Sequence, residues 1–300
     1  MRAAIWILAA AMLAACASTR VPTRGEEDLD SALLAAAEGG DLDSVIPLLE
    51  RGADPDAASW EGDSALMKAT IAGHTEVVYV LVEAGADVNS KNWNGYTVLM
   101  RASGRRRADI VRFLLSRGAE VNAREGSALI WGVLGGDPVV VQLLVDAGVN
   151  VNACSERVFN EESALMIAAG HSYRTSPTGT RKAWGGDPAI VRILIDGGVD
   201  LEARDLHGRT ALMYAAREGH TQNVDLLLAA GAGVDQQGAD GMTALMWAAA
   251  KGATPVIRLL LAAEANMGLR DQNGWTALRH AREAGQAEAA EALAAALAPE

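Results

Sequence analysis

The chain has 300 residues and a formal charge of −12, from 26 basic against 38 acidic side chains, a balance that argues against a general affinity for nucleic acid or anionic lipid. Its two cysteines, Cys16 and Cys154, leave no partner for a disulfide within the mature chain. Length alone would suggest about two domains, but a chain that repeats itself grows by addition, so one elongated domain is expected.

The first element is the amino-terminal run MRAAIWILAAAMLAAC, with a single positive charge at Arg2, an apolar stretch from Ala3 to Ala15 and then Cys16. The apolar part is too short for a membrane span of roughly 20 residues, so residues 1–15 read as a signal peptide. Leu13-Ala14-Ala15-Cys16 resembles the bacterial lipoprotein signal. That resemblance implies cleavage before Cys16, lipidation of its thiol, and Ala17 in the position where Asp would imply inner-membrane retention. A lipid-anchored protein on the periplasmic face of the outer membrane is the expectation. Acyl chains contribute about 0.8 kcal/mol per buried CH₂, enough to hold such a chain without a spanning helix. Residues 16–28 then have the polar, Pro- and Gly-containing composition of a flexible tether.

From residue 29 onward the sequence copies itself. Gly208 to Asp240, GRTALMYAAREGHTQNVDLLLAAGAGVDQQGAD, is followed by another 33-residue copy from Gly241 to Asn273. Each copy reads as two short helices. Thr210 is placed to cap the first and Gly219-His220 to end it, while Val224, Leu227 and Leu228 form the apolar stripe of the second and Gly231 stops it. A polar connection leads on, and neither helix could bury its stripe without a neighbouring copy.

The residues Gly62 to Asn89 and Gly208 to Asp235 resemble the ankyrin repeat, G-x-T-P-L-H-x-A-A-x-x-G-H followed by V-V-x-L-L and G-A-D-V-N. Where the family has Pro and His, this chain has Ala65 and Met67, Ala211 and Met213, Ala244 and Met246. The departure implies apolar Met packing in place of part of a polar network. The resemblance implies an all-α-dominated repeat solenoid of about eight units, helix pairs joined by β-hairpin or turn fingers. The expected units are 29–61, 62–94, 95–124, 125–160, 161–207, 208–240, 241–273 and 274–300.

The residues expected to open the first helices are Ser31, Ser64, Thr97, Ser127, Ser163, Thr210, Thr243 and Thr276, at intervals of 33, 33, 30, 36, 47, 33 and 33. The short interval predicts a stunted finger at 122–126, and the next an enlarged one from Cys154 to Glu162. The long one holds a polar insertion, residues 171–184, between two helices. Pro47 is expected early in a second helix, and Glu264 takes the place of a terminating glycine, at a cost of about 1 to 2 kcal/mol if left-handed. The Ala-rich end reads as a cap.

Catalytic chemistry finds no support. His74 and His220 are turn residues of the repeat, His207 lies in a finger and His280 in a first helix, and none has carboxylates or cysteines at metal-ligand spacing. Cys154 has no histidine nearby in sequence, no Gly-rich loop leads to Lys-Ser/Thr, and Glu161-Glu162 read as solvated. The expectation is no enzyme, no metal and no cofactor.

The resemblance instead places a protein partner on the concave face of finger tips and first-helix edges. The candidates are Trp60, Trp93, Asn94, Tyr96, Leu206, His207, Arg209, Arg217, Met242, Lys251 and Trp275, while Trp131, Tyr214 and Trp247 are expected between units. A secondary basic edge would combine Arg105, Arg106 and Arg107 with Arg174, Arg181 and Lys182 of the insertion. The sequence thus reads as a monomeric scaffold holding a partner protein at the membrane. Binding of a small molecule or cell-wall fragment near the insertion, and a secreted effector acting on another cell, stay open as alternatives.

Overall fold

The computed structural model describes residues 28–154, 161–170 and 186–297, apart from the side chain of Glu125. Among the described residues are sixteen helices: α1 Leu29–Gly39, α2 Leu42–Glu50, α3 Ala65–Ala72, α4 Thr75–Glu83, α5 Val98–Gly104, α6 Ala108–Ser116, α7 Ala123–Gly135, α8 Pro138–Asp146, α9 Ala164–Gly170, α10 Pro188–Asp196, α11 Ala211–Glu218, α12 Thr221–Ala229, α13 Ala244–Lys251, α14 Thr254–Ala262, α15 Ala277–Glu283 and α16 Ala287–Leu297. They form successive pairs, and the fold is a helical repeat solenoid compatible with about eight units.

The hydroxyls that open the first helices largely do what their position implies. Ser64, Thr97 and Thr243 each accept from the backbone N–H three residues on, Met67, Met100 and Met246, at 3.2 Å. Thr210 takes the same extended cap conformation but makes no side-chain capping bond. At the start of the chain the expected opener is displaced, because Asp28 caps α1 and Ser31 lies inside the helix donating to it. The methionines are buried as expected, and two of them do more than fill space. The sulfurs of Met100 and Met166 lie 3.5 Å from the N–H groups of Thr97 and Ser163, so a weak acceptor closes the capping box from the third helical position. Pro47 is the sixth residue of α2 rather than a first-turn residue, so the carbonyl of Asp43 goes without its helical donor.

The chain divides into two compact units, Met1–Arg124 and Glu125–Glu300. In the first, α1, α3 and α5 pack side by side as one row and α2, α4 and α6 as a second. In the second, α9, α11, α13 and α15 form one row, and α8, α10, α12, α14 and α16 the other. Between the rows lie Leu66, Met67, Leu81, Leu99 and Leu114 in the first unit and Leu144, Leu165, Leu194, Leu212, Leu227, Leu245 and Leu260 in the second, all buried. Full burial of such a side chain stabilises by about 1.5–3 kcal/mol, which none of these short helices could gain alone.

The turns inside the first two pairs are each tied to the next repeat. Gly73 ends α3 with φ +87°, and its carbon-free flank is occupied by the guanidinium of Arg107, which donates to the carbonyl of Ala72 at 3.2 Å. His74 fills the same place against Gly40 and lies 3.0 Å from the carbonyl of Glu38. The glycine is therefore required twice, by a left-handed backbone and by a neighbour. At the end of α14, Glu264 is left-handed, φ +62°, as the missing glycine implied. The 30-residue interval has a simple structural outcome: where a finger would stand, α7 begins at Ala123, before Ser127.

Candidate functional site

The fingers are built from short antiparallel bridges, Ala58 with Ser64 and Lys91 with Thr97 in the first unit and Cys154 with Ser163 in the second. The residue five before the openers Thr97, Thr210 and Thr276 fixes the tip. Asn92 accepts from the N–H groups of Asn94 and Tyr96, Asp205 from His207 and Arg209, and Asp271 from Asn273 and Trp275, all between 2.7 and 3.1 Å. Adjacent fingers are then stitched together: Trp93 N–H donates to the Glu61 carbonyl (3.3 Å), Ala239 to His207 (2.8 Å) and Gln272 to Asp240 (3.1 Å).

In the first unit, Trp60 and Trp93 occupy the tips of consecutive fingers and are 87% and 79% exposed. The Trp93 indole N–H donates to the Trp60 carbonyl at 3.0 Å, and its pyrrole edge rests over Gly62, where an added Cβ would lie 2.8 Å from the ring. Asn94 is exposed beside it, its carbonyl taken by Arg124. Tyr96 is half-buried with Arg101 over its ring at 4.4 Å and Arg124 at 5.2 Å. Across from these, Lys68 pairs with Glu38 at 2.7 Å.

In the second unit, Leu206 is 54% exposed and His207 and Lys251 are exposed. Arg209 and Arg217 are half-buried, because both guanidinium groups lie over Trp247, at 5.3 and 5.8 Å. Arg217 also covers Tyr214 at 5.1 Å and pairs with Glu218 at 2.9 Å. Trp275 is half-buried, with Arg279 over its ring at 4.6 Å and His280 at 5.3 Å. Met242 departs from expectation: at 7% exposure it belongs to the interior, where its apolar thioether side chain is out of water. Tyr214 is buried as expected between units, whereas Trp131 and Trp247 are only half-buried.

Two polar clusters were not legible in the sequence. Tyr214 donates through its hydroxyl toward Asp205 (2.7 Å) and Glu162 (2.9 Å), so Glu162, with 0% exposure, is not the solvated acid its position suggested. Burial first, and then the Asp205 hydrogen bond and the charge of Glu162, push the Tyr214 phenol well above its ordinary value. Asp271 lies 3.0 Å from His280. Burial alone would raise its carboxyl, but the N–H groups of Trp275 and Asn273 and the His280 ring outweigh this and hold it below its ordinary value. The only available signal was the repeated nine-residue spacing, 205 to 214 and 271 to 280, between finger and first helix.

The basic edge is only partly as expected. Arg105 and Arg106 are exposed, but Arg107 is half-buried against Gly73 and serves the turn, so it is not a free docking charge. Arg174, Arg181 and Lys182 of the insertion, and Cys16, lie outside the described residues. Among the described residues no group of His, Cys, Asp and Glu could hold a metal ion, and no helix is long and apolar enough to cross a membrane.

A family model described as Ankyrin repeats (3 copies) matches residues 32–125, 129–237 and 223–298. No individual curated protein matches the chain. Ankyrin repeats generally mediate protein–protein interaction and typically serve as scaffolds rather than catalysts. Helix pairs, fingers and a match covering most of its length agree, and the chain belongs to the ankyrin-repeat family.

Proposed function

We propose that this protein is a lipid-anchored scaffold of the bacterial cell envelope that holds a partner protein through its finger tips and first-helix edges. The observation that carries the reading is the pair Trp60 and Trp93. Exposed tryptophan on a rigid tip is an unusual surface for a protein that stands alone, and tryptophan dominates binding energy at protein interfaces. Trp93 is also fixed in place before any partner arrives, so little side-chain entropy is lost on contact. Anchoring at Cys16, the outer membrane and its periplasmic face are supported by the Leu13-Ala14-Ala15-Cys16 sequence and by Ala17.

Capture from envelope extracts tests the binding face. The wild-type chain retains a partner, and Trp60→Ala/Trp93→Ala reduces its capture by at least about tenfold, the loss of two interface anchors. Undiminished capture by the double variant refutes this face. Replacing Cys16 by Ser tests the anchor separately, with release of the protein from the membrane fraction expected and unchanged retention contradicting it.

A further inference from the structure

Several rings among the described residues are covered by an arginine of the chain, and Trp60 and Trp93 are not. Among the described residues, an arginine lies over Tyr96, Phe113, Tyr214, Trp247 and Trp275, at 4.4 to 5.3 Å from at least one guanidinium. The two most exposed tryptophans have no cation of the chain over them among the described residues. The indole N–H of Trp93 is already consumed by the Trp60 carbonyl. What Trp93 offers a partner is therefore a ring face held in a fixed orientation, without a hydrogen-bond donor.

The two fingers themselves carry a net negative charge. Residues 54–63, the first finger, contain Asp54, Asp56, Glu61 and Asp63 and no basic residue; residues 87–96, the second, contain Asp87 and Lys91. Five acids against one base leave the two fingers at −4. Glu61 is exposed, follows Trp60 directly, and accepts the Trp93 N–H at its backbone carbonyl. Asp63 is held to the same finger pair by Asn92, whose amide donates to it at 2.8 Å. Open aromatic faces flanked by carboxylates are the arrangement that attracts a cation, through the ring quadrupole and through charge together.

We infer that the Trp60–Trp93 fingers receive an arginine- or lysine-bearing segment of the partner protein, its cation stacked on an indole face and balanced by Glu61 and Asp63. The inference rests on the proposed reading of the finger tips as the partner surface and adds the chemistry of what docks there. The partner supplies to Trp60 and Trp93 what the chain's own arginines supply to Tyr96, Trp247 and Trp275.

The test titrates the full chain, ¹⁵N-labelled, with the peptide acetyl-Gly-Arg-Gly-Arg-Gly-amide, its citrulline counterpart, a proline tetrapeptide and a tetramer of N-acetylglucosamine. The indole N–H signals of Trp60 and Trp93 are assigned by their loss in Trp60→Phe and Trp93→Phe. The arginine peptide shifts both signals, and its citrulline counterpart, equal in shape but neutral, binds at least about fivefold more weakly. Glu61→Gln weakens the arginine peptide, Trp60→Ala/Trp93→Ala removes its binding, and circular dichroism shows the helices intact in each. Equal binding of the citrulline peptide, a response only to the proline peptide or the sugar, or no response to any probe overturns the inference. If partner capture still depends on the two tryptophans in that event, the scaffold reading stands and the cation alone is refuted; capture independent of them refutes both.

Discussion

Gly73 and Gly85 separate two reasons for a glycine. Both are left-handed, φ +87° and +101°, but a Cβ on Gly73 collides with the Arg107 guanidinium, while one on Gly85 meets nothing within 4 Å. Gly85→Ala should cost about 1 kcal/mol, the backbone term alone, and Gly73→Ala visibly more, read from urea midpoints; equal losses would contradict the assigned role of Arg107. Asp271 makes a prediction in pH. Its folded carboxyl titrates below the unfolded value of about 3.9, so on acidification the unfolded chain takes up the proton first. Its stabilisation is present above about pH 4 and is lost as pH falls through the folded value. Asp271→Asn should flatten that acid limb, and an unchanged slope would count against the pairing. At this scale the sequence was least legible. Position in the repeat placed Glu162 in a finger and Arg107 in a turn, but position names neither the neighbour a side chain faces nor the depth at which it meets it.

Elements were far more legible, because a helix of two turns is specified by residues within itself. The Ser or Thr opener, the Leu-Met pair and the glycine stop are all local, and α3, α11 and α13 begin and end where they imply. Departures came where another local signal or the length of a connection intervened: Asp28, three residues earlier, replaced Ser31 as a cap, and α7 grew backward into a connection too short to form a finger. Thr243 and Thr210 form a matched pair for testing capping. Thr243→Ala removes a bond to the Met246 N–H and should cost about 1 kcal/mol, whereas Thr210→Ala removes no such bond and should cost less. Thermal midpoints that fall equally would show that burial of the threonine, rather than its hydroxyl, carries the effect.

For the whole molecule, a period near 33 residues carries the architecture, since apolar stripes repeated at that spacing can be buried only by stacking, and both compact units are built that way. The binding surface was half legible. The aromatic residues of the fingers could be picked out, but which of them an arginine covers depends on how side chains lie: Arg101 and Arg279 cover Tyr96 and Trp275 from within their own repeats, while Arg209 reaches Trp247 from the repeat before. That difference in cover makes the Trp60–Trp93 fingers the centre of the functional account. Amide hydrogen exchange of the full chain, with and without its captured partner, tests the account most directly. Protection centred on residues 57–64 and 90–97 is the predicted result. Protection concentrated instead on the second helices around Tyr79 and Phe113, with the two tryptophan fingers exchanging unchanged, would contradict it.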